Sequence, residues 1–203
     1  EEVRDSALAV SGLLVEKIGG PPVKPYAPPG LWQEVAMPES NTKEYVADTG
    51  EGLYRRSVYS FTKRASPQPS METFDATSRE TVCPRRARAD TPLQALVTLN
   101  DPEFIQAARV LAQNALRARP DATATMDTLS RATLGRPLDP EEQAILEQSR
   151  QAFVQRFEAQ PANAKLLLTV GAAPMKPSLN PRELAAWTMV ASELLNLDEF
   201  LTK

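Results

Sequence analysis

Residues 54–104 read YRRSVYSFTKRASPQPSMETFDATSRETVCPRRARADTPLQALVTLNDPEF. Up to Asp90 this stretch is rich in arginine, aromatic residues and proline, and its apolar residues follow no sustained period, which favours a long ordered irregular segment. Aromatic and β-favouring residues at 53–61 predict a short strand. At Thr91-Pro92 the pattern changes, because threonine caps helices and proline is tolerated in the first helical turn. The stretch therefore predicts irregular chain up to residue 90 and helices after it.

The chain beyond Thr91 repeats this helix-start pattern. Asp101, Asp139 and Asn180 each precede a proline and a helical period, and further helices are predicted at 121–134 and 163–170. Two of the helices have apolar stripes that predict buried faces, namely Phe104, Ala108, Leu111 and Ala115, and Leu184, Trp187, Ala191, Leu194 and Leu195. We therefore predict a mainly α fold with a long ordered Pro/Arg-rich irregular segment and at most a short β element.

Upstream, helical spacing of the apolar residues predicts an N-terminal helix over 1–20 that ends at Gly19-Gly20. Six prolines then interrupt any regular element between residues 21 and 38. We predict a single domain over 1–203, with the helix at 1–20, a Pro/Arg-rich irregular region at 21–90 and a helical part at 91–203. The chain enters its first helix without an initiating methionine or a cap, so we interpret it as the C-terminal fragment of a longer protein, with an exposed apolar face on residues 3–18.

The composition excludes several classes of function. With no histidine and one cysteine, the chain has no Ser-His-Asp or Cys-His catalytic group, no histidine-ligated metal site, no haem attachment motif and no internal disulfide. We assign no catalytic residue, no metal ligand and no cofactor. The sequence has no apolar run long enough for a transmembrane helix. The formal net charge of −3 makes nucleic acid a poor partner.

Positive charge is concentrated between residues 55 and 88, where eight basic residues face three acidic ones although the whole chain is negative. Arginine suits planar, bidentate contacts with carboxylate, sulfate or phosphate, so the segment is a candidate anion-binding or partner-binding surface. The candidate residues are Arg55, Arg56, Arg79, Arg85, Arg86 and Arg88. The interpretation that we favour is an internal network that holds the irregular segment, with carbonyl groups and the acids Asp75, Glu80 and Asp90 as partners of the arginines, and the binding surface is the alternative.

Two further interpretations concern the same segment. The acidic residues have no spacing that separates a general acid–base pair or a cation site from arginine pairing, and capping already accounts for Asp101. Cys83 lies near three arginines, but without histidine we interpret it as a small packed side chain rather than a nucleophile.

The chain resembles the DUF1553 family in a series of short motifs that follow one another in order. The motifs are Ser11-Gly12-Leu13-Leu14, Gly19-Gly20-Pro21, Tyr54-Arg55-Arg56-Ser57-Val58-Tyr59, Phe74-Asp75-Ala76, Arg79-Glu80, Arg85-Arg86, Thr91-Pro92-Leu93-Gln94-Ala95-Leu96, Leu99-Asn100-Asp101-Pro102, Leu134-Gly135-Arg136-Pro137 and Leu195-Asn196-Leu197-Asp198-Glu199-Phe200. The family pattern has Arg-x-Asn-Thr-Pro where this chain has Asp90, which adds an acid beside the arginines.

The resemblance implies the C-terminal domain of a large exported protein of planctomycetes and related bacteria, with a DUF1549 domain and often a cytochrome c-like region upstream. It implies placement in the periplasm or at the cell surface and no settled activity. The first hypothesis is a non-catalytic structural or interaction module that packs against the upstream domain of the same polypeptide. The alternative is part of a polysaccharide-acting enzyme that binds acidic or sulfated glycan through its arginines. A third hypothesis is a docking surface for a protein partner in electron transfer or secretion.

Overall fold

The computed structural model describes residues 1–79, 81–86, 88–118, 121–176 and 178–202, and it confirms the mainly α fold. In these ranges two 3₁₀ turns lie at Gly50–Tyr54 and Ser57–Tyr59, and the chain forms ten α-helices. The helices are α1 Glu2–Ser11, α2 Leu31–Val35, α3 Pro69–Thr73, α4 Pro92–Asn100, α5 Pro102–Ala118, α6 Ala122–Leu134, α7 Pro140–Ala159, α8 Pro161–Leu168, α9 Pro181–Leu195 and α10 Asp198–Leu201. None of the described helices is long and apolar enough to cross a membrane.

The chain divides into two compact units. The first unit comprises Glu1–Ser6 and Leu14–Val97, and the second comprises Ala7–Leu13 and Thr98–Lys203. Because compact units of one chain can belong to one folding domain, the single domain over 1–203 stays a prediction.

The second unit is a helical assembly around α9. Helices α5, α7 and α8 pack against α9, and both predicted apolar stripes are buried. Trp187 and Leu184 of α9 are fully enclosed, as are Ala108 and Ala115 of α5. Burial of these apolar faces is the main source of the unit's stability, since short helices have little stability of their own.

The helix starts predicted at Asp101, Asp121, Asp139 and Asn180 are confirmed by their caps, whereas the helix predicted at 163–170 is α8 at Pro161–Leu168. The Asp139 carboxylate accepts hydrogen bonds from the backbone N–H groups of Glu141 and Glu142, and Glu142 completes a capping box. Asn180 caps α9 in the same manner by accepting from the N–H of Arg182. Helix α6 ends at Gly135, whose φ of 75° is a left-handed conformation that favours glycine.

The predicted helix over 1–20 is wrong in its extent. Helix α1 ends at Ser11, because Gly12 has a φ of 76° and closes a Schellman motif. In this motif the Gly12 N–H donates to Ala9 O at 3.0 Å and the Leu13 N–H donates to Leu8 O at 2.9 Å. The predicted exposed apolar face is also wrong in part, since Ala7 and Leu8 are buried while Ile18 is exposed.

The strand predicted at 53–61 is wrong. This stretch forms the two 3₁₀ turns and makes isolated parallel bridges, Val15 with Arg55 and Val23 with Ser60, and the described residues contain no sheet. The Val23 N–H donates to Tyr59 O at 2.9 Å, and the Phe61 N–H donates to Val23 O at 2.7 Å. The Ser57 N–H, which a strand would use in a ladder, donates instead to the Asp5 carboxylate at 2.8 Å.

The irregular region of the first unit is organised around Trp32, which is buried. The Tyr45 ring meets Trp32 edge-on with centroids 4.8 Å apart, and Phe61 lies 5.6 Å away. The Lys63 ammonium lies 4.8 Å from the Trp32 ring, within the range of a cation–π contact. The hydroxyl of Tyr45 accepts a hydrogen bond from Gln68, which places Gln68 in the wall of the pocket described below.

Candidate functional site

A buried arginine of α1, Arg4, fixes the start of the candidate segment. Its side chain is 5% exposed and donates from Nη2 to Leu53 O at 2.8 Å and from Nη1 to Arg55 O at 3.0 Å and Ser57 Oγ at 3.2 Å. The neighbouring Asp5 carboxylate accepts from the Ser57 N–H at 2.8 Å and from the Ser57 hydroxyl at 2.6 Å. One turn of helix therefore satisfies the polar groups of residues 53–57.

Arg55 also binds backbone carbonyl groups through its side chain. Its residue is 5% exposed, and its guanidinium donates to Pro21 O at 3.1 Å, to Lys17 O at 3.0 Å and to Gly19 O. The same guanidinium stacks over the Tyr59 ring at 4.0 Å. We name Arg4 and Arg55 the anchor arginines, because both hold irregular chain through carbonyl groups. The structure therefore places Arg55, a candidate for partner binding, in the scaffold.

Four of the candidate arginines lie in a loop that is closed at its base, namely Arg79, Arg85, Arg86 and Arg88. We name residues 76–88 the arginine loop. At its base the Asp75 carboxylate accepts from the Ala89 N–H at 2.7 Å, and the Gln94 side chain donates to Thr73 O at 3.0 Å. Gln94 is buried in α4, so the loop is held from its two ends by side chains of the first unit. Loops of this size with closed ends are compact surface elements and are frequently functional.

The arginine loop presents its cations to solvent. Arg79, Arg85 and Arg88 are exposed, as is Arg56 outside the loop, and no described residue forms an ion pair or hydrogen bond with their side chains. Arg86 is also exposed but pairs with the Glu1 carboxylate. Arg79 has a φ of 59°, which is uncommon for a residue other than glycine.

The predicted acidic partners have other roles or none in the described part of the chain. Asp75 binds the backbone of Ala89 rather than an arginine, and Asp90 is exposed without a described partner. Glu80 lies outside the described residues. Cys83 is exposed rather than packed, and its thiol lies 3.3 Å from Arg85 O. Within the described ranges no group of three or more cysteine and acidic residues could hold a metal ion.

A small open pocket of about 60 Å³ lies at the foot of the arginine loop. Its lining combines apolar surface, to which Pro67, Met71 and Ala76 contribute, with the polar side chains of Ser60, Thr62, Gln68, Glu72, Thr77 and Arg79. Ser60 is 7% exposed, and its buried hydroxyl has no hydrogen-bond partner among the described residues. The pocket is entirely within the first unit.

Several arginines of the second unit form ion pairs with carboxylates. Arg136 binds Glu142 in a bidentate contact at 2.7 Å and also pairs with Glu199 at 2.8 Å. Hydrogen bonds to the Glu142 carboxylate lower its pKa to about 2. The largest contribution comes from the Arg136 guanidinium, and the next comes from the backbone N–H of Asp139. Arg131 pairs with Asp127 four residues earlier, and its pKa is raised by that hydrogen bond.

One arginine of the second unit is buried on backbone carbonyls, as Arg55 is in the first. Arg109 of α5 donates to Ala173 O at 2.6 Å and to Val170 O at 3.4 Å. One turn earlier on α5, Gln106 accepts from the Ala173 N–H at 2.9 Å. Gly171 sits inside this contact with a φ of 83°, and a Cβ there would lie 2.1 Å from the Gln106 amide oxygen.

The sequence interpretation missed Arg4, Ser60 and Gln94. For Arg4 a signal was present, since Ala7, Leu8 and Ser11 share its helical face and an arginine among small and apolar residues indicates a buried cation with long-range partners. Ser60 and Gln94 had no such signal, because their roles depend on residues that are distant in the sequence.

Comparison with known proteins gives one result. The family model described as "PSD1: Protein of unknown function (DUF1553)" matches residues 1–149. No curated protein and no solved structure matches the chain. The matched range includes the anchor arginines, the arginine loop and the pocket, and it ends within α7, so Glu199 and the closing motif at 195–200 lie beyond it.

Proposed function

The chain belongs to the DUF1553 family, and on this premise we propose that it is a non-catalytic interaction module that binds an anionic partner through the arginine loop. One observation carries the proposal. Arg4 and Arg55 are buried and donate hydrogen bonds to backbone carbonyl groups of the protein itself. In contrast, Arg79, Arg85 and Arg88 are exposed and pair with no described residue. The buried arginine contacts of the first unit therefore do not use Arg79, Arg85 or Arg88.

The exposed arginines favour an anion for electrostatic and geometric reasons. Four arginines lie within ten residues of sequence at 79–88, and among the described residues their one acidic partner is Glu1, which pairs with Arg86. Like charges held this close repel one another, so an anionic partner lowers the energy of the loop. Each guanidinium can form a bidentate contact with a carboxylate, sulfate or phosphate group.

The place of this module in a larger protein follows from the resemblance of its motifs to exported proteins. We propose that it is part of an exported protein of a planctomycete or related bacterium, acts in the periplasm or at the cell surface, and packs against an upstream domain. The loop would then extend the binding surface of that domain. Fractionation of cells that produce the full-length protein tests this placement, and recovery of the protein in the cytoplasm contradicts it.

The binding proposal is tested by titrating the chain with the soluble polyanion poly-L-glutamate at several salt concentrations. We expect binding that weakens as salt rises, because contacts between exposed charges are screened. The triple variant Arg79→Ala/Arg85→Ala/Arg88→Ala should lose affinity about tenfold or more, at about 0.5–1 kcal/mol for each exposed contact.

The control is a second triple variant with the same change of charge. Arg117, Arg156 and Arg182 of the second unit are exposed, and no described residue pairs with their side chains. The variant Arg117→Ala/Arg156→Ala/Arg182→Ala should keep most of the affinity. Equal losses in the two variants would show that net charge alone governs binding, and the proposal would then be wrong.

A further inference from the structure

The pocket at the foot of the arginine loop has chemistry that a simple anion site would not have. Its lining combines hydroxyl groups from Ser60, Thr62 and Thr77 with the Glu72 carboxyl group and the Arg79 guanidinium. A sulfate or phosphate bound between these groups would meet the negative charge of Glu72. A ligand with hydroxyl groups satisfies both charged residues, since each hydroxyl can donate one hydrogen bond and accept others.

The hydroxyl of Ser60 shows that the pocket lacks a polar partner. It is buried without a hydrogen bond to any described residue, whereas Ser57 in the same wall is fully engaged by Arg4 and Asp5. A buried hydroxyl without a partner costs about 1–3 kcal/mol. Ser60 is a lining residue of the pocket, so a rotation that turns its hydroxyl towards a bound ligand would supply the missing partner.

The volume limits how much of a ligand can enter. A cavity needs about 10–15 Å³ to hold one water molecule, so a pocket of about 60 Å³ holds about four to six groups of that size. Two adjacent hydroxyl groups with their carbon atoms fit this space, and a complete sugar ring does not. Since the pocket is open, the rest of a ring can remain outside, next to the exposed Arg79.

We propose that the pocket binds the edge of an acidic sugar in a glycan, with two neighbouring hydroxyl groups inside and the anionic group of the sugar on Arg79. The inference rests on the proposed function, because the arginine loop supplies the contact with the negative charge. It adds the class of the partner, an acidic glycan rather than any polyanion. Glu1 also lines the pocket, and its carboxylate is held by Arg86, so Glu72 is left to accept hydrogen bonds from the sugar.

Three ligands separate the two proposals in calorimetric titrations of the whole chain. Polygalacturonate has hydroxyl and carboxylate groups, poly-L-glutamate has carboxylates alone, and dextran sulfate has sulfate in place of carboxylate. We expect polygalacturonate to bind more tightly than poly-L-glutamate at equal charge concentration. Dextran sulfate shows whether Arg79 also accepts a sulfate group. Because sulfation uses up the hydroxyl groups of the sugar, a preference for dextran sulfate alone supports the proposed function and not the pocket.

Two variants remove hydroxyl groups from the pocket with little change in shape. Ser60→Ala and Thr77→Val should each lower the affinity for polygalacturonate about two- to tenfold, which corresponds to one hydrogen bond. Their affinity for poly-L-glutamate should not change. The control is Ser70→Ala, which removes a hydroxyl group from α3 outside the pocket lining and should leave both affinities unchanged.

The results of these titrations distinguish a failure of the glycan inference from a failure of the proposed function. If polygalacturonate binds no more tightly than poly-L-glutamate, or if the pocket variants lose no affinity for polygalacturonate, the glycan inference is overturned while the proposed function stands. If the chain binds none of the three polymers, both proposals are overturned. An unfolding midpoint of Ser60→Ala at or above that of the wild type, as loss of an unpartnered buried hydroxyl predicts, and a midpoint of Thr77→Val close to the wild type show that a loss of affinity comes from the pocket and not from unfolding.

Discussion

The arginines of residues 1–97 and those of residues 98–202 have one role in common and differ in another. Each region buries an arginine on the carbonyl groups of a glycine-containing turn, Arg55 at residues 17–21 and Arg109 at residues 170–173. The exposed arginines differ in part. Arg131 and Arg136 of the second region pair with carboxylates, although the exposed arginines at 117, 156 and 182 have no described partner. Arg79, Arg85 and Arg88 of the first region pair with no described residue.

The difference follows from local structure. On a helix, residues three or four apart are neighbours, so Arg131 finds Asp127 and Arg150 finds Glu147 on the same helix. An irregular loop has no such spacing, and its acidic residue Asp75 is used to close the loop. Exposed cations on a loop of this kind remain available to a partner, whereas a helix can place a carboxylate one turn away from a cation, as it does for Arg131 and Arg150.

The largest expected effect is a contrast between two neighbours in the sequence. Arg55→Ala should lower the free energy of unfolding by about 2–4 kcal/mol, because it leaves three carbonyl groups without their donor and removes the stacking on Tyr59. Arg56→Ala should change it by less than about 0.5 kcal/mol, since Arg56 is exposed. Urea unfolding measures both, and amide exchange at Val23 reports on the first unit directly. Equal effects of the two substitutions would remove the distinction between anchor and exposed arginines.

The corresponding turn of the second region is tested at Gly171. Gly171→Ala should cost about 1–3 kcal/mol, because alanine is strained at a φ of 83° and its Cβ would collide with Gln106. Gly30→Ala is a control for strain alone, since Gly30 has a φ of 92° and an alanine Cβ at this position would meet no described atom within 4 Å. If both substitutions cost the same in urea unfolding, the contact of the turn with Gln106 contributes nothing.

The smallest effect on the free energy of unfolding is expected from breaking the ion pair of Arg136 with Glu142, and this effect depends on pH. Glu142 has its pKa lowered from 4.5 to about 2 by Arg136, so the folded state binds the proton less readily than the unfolded state. The contribution of Glu142 is therefore complete above pH about 4.5 and is lost as the pH falls from about 4.5 towards about 2. Unfolding midpoints of the wild type and of Glu142→Gln should converge over this range. Glu141→Gln is the control, and its difference from the wild type should change less with pH.

The helices after Thr91 could be predicted because their signals are local. Asp139, Asn180 and Gly135 act within one turn of their own position, and the stripes on α5 and α9 recur at the helical period. The end of α1 at Ser11 was missed because the glycine pair at 19–20 offered an equally good stop signal. The sequence contained Gly12 but did not show that its φ is positive.

The sequence showed where the arginines are concentrated, but it did not show which of them hold the backbone and which are exposed. Arg55 and Arg56 are adjacent and identical in type, and their difference comes from residues 17–21 and from Arg4, about 35 to 50 positions away. Asp75 was expected to pair with arginine, but the geometry of the loop places it on the backbone of Ala89. Contacts of this range depend on the complete fold, so composition located the arginines without showing which of them are free.

The most direct test follows the Nε–H signals of the arginine side chains by NMR during titration with poly-L-glutamate, with assignments from single arginine variants. The account predicts that the signals of Arg79, Arg85 and Arg88 shift with added polymer while those of Arg4 and Arg55 stay in place, because the anchor arginines are buried and bonded to carbonyl groups. Shifts of the anchor arginines equal to those of the loop, or a loop that does not respond, would contradict it.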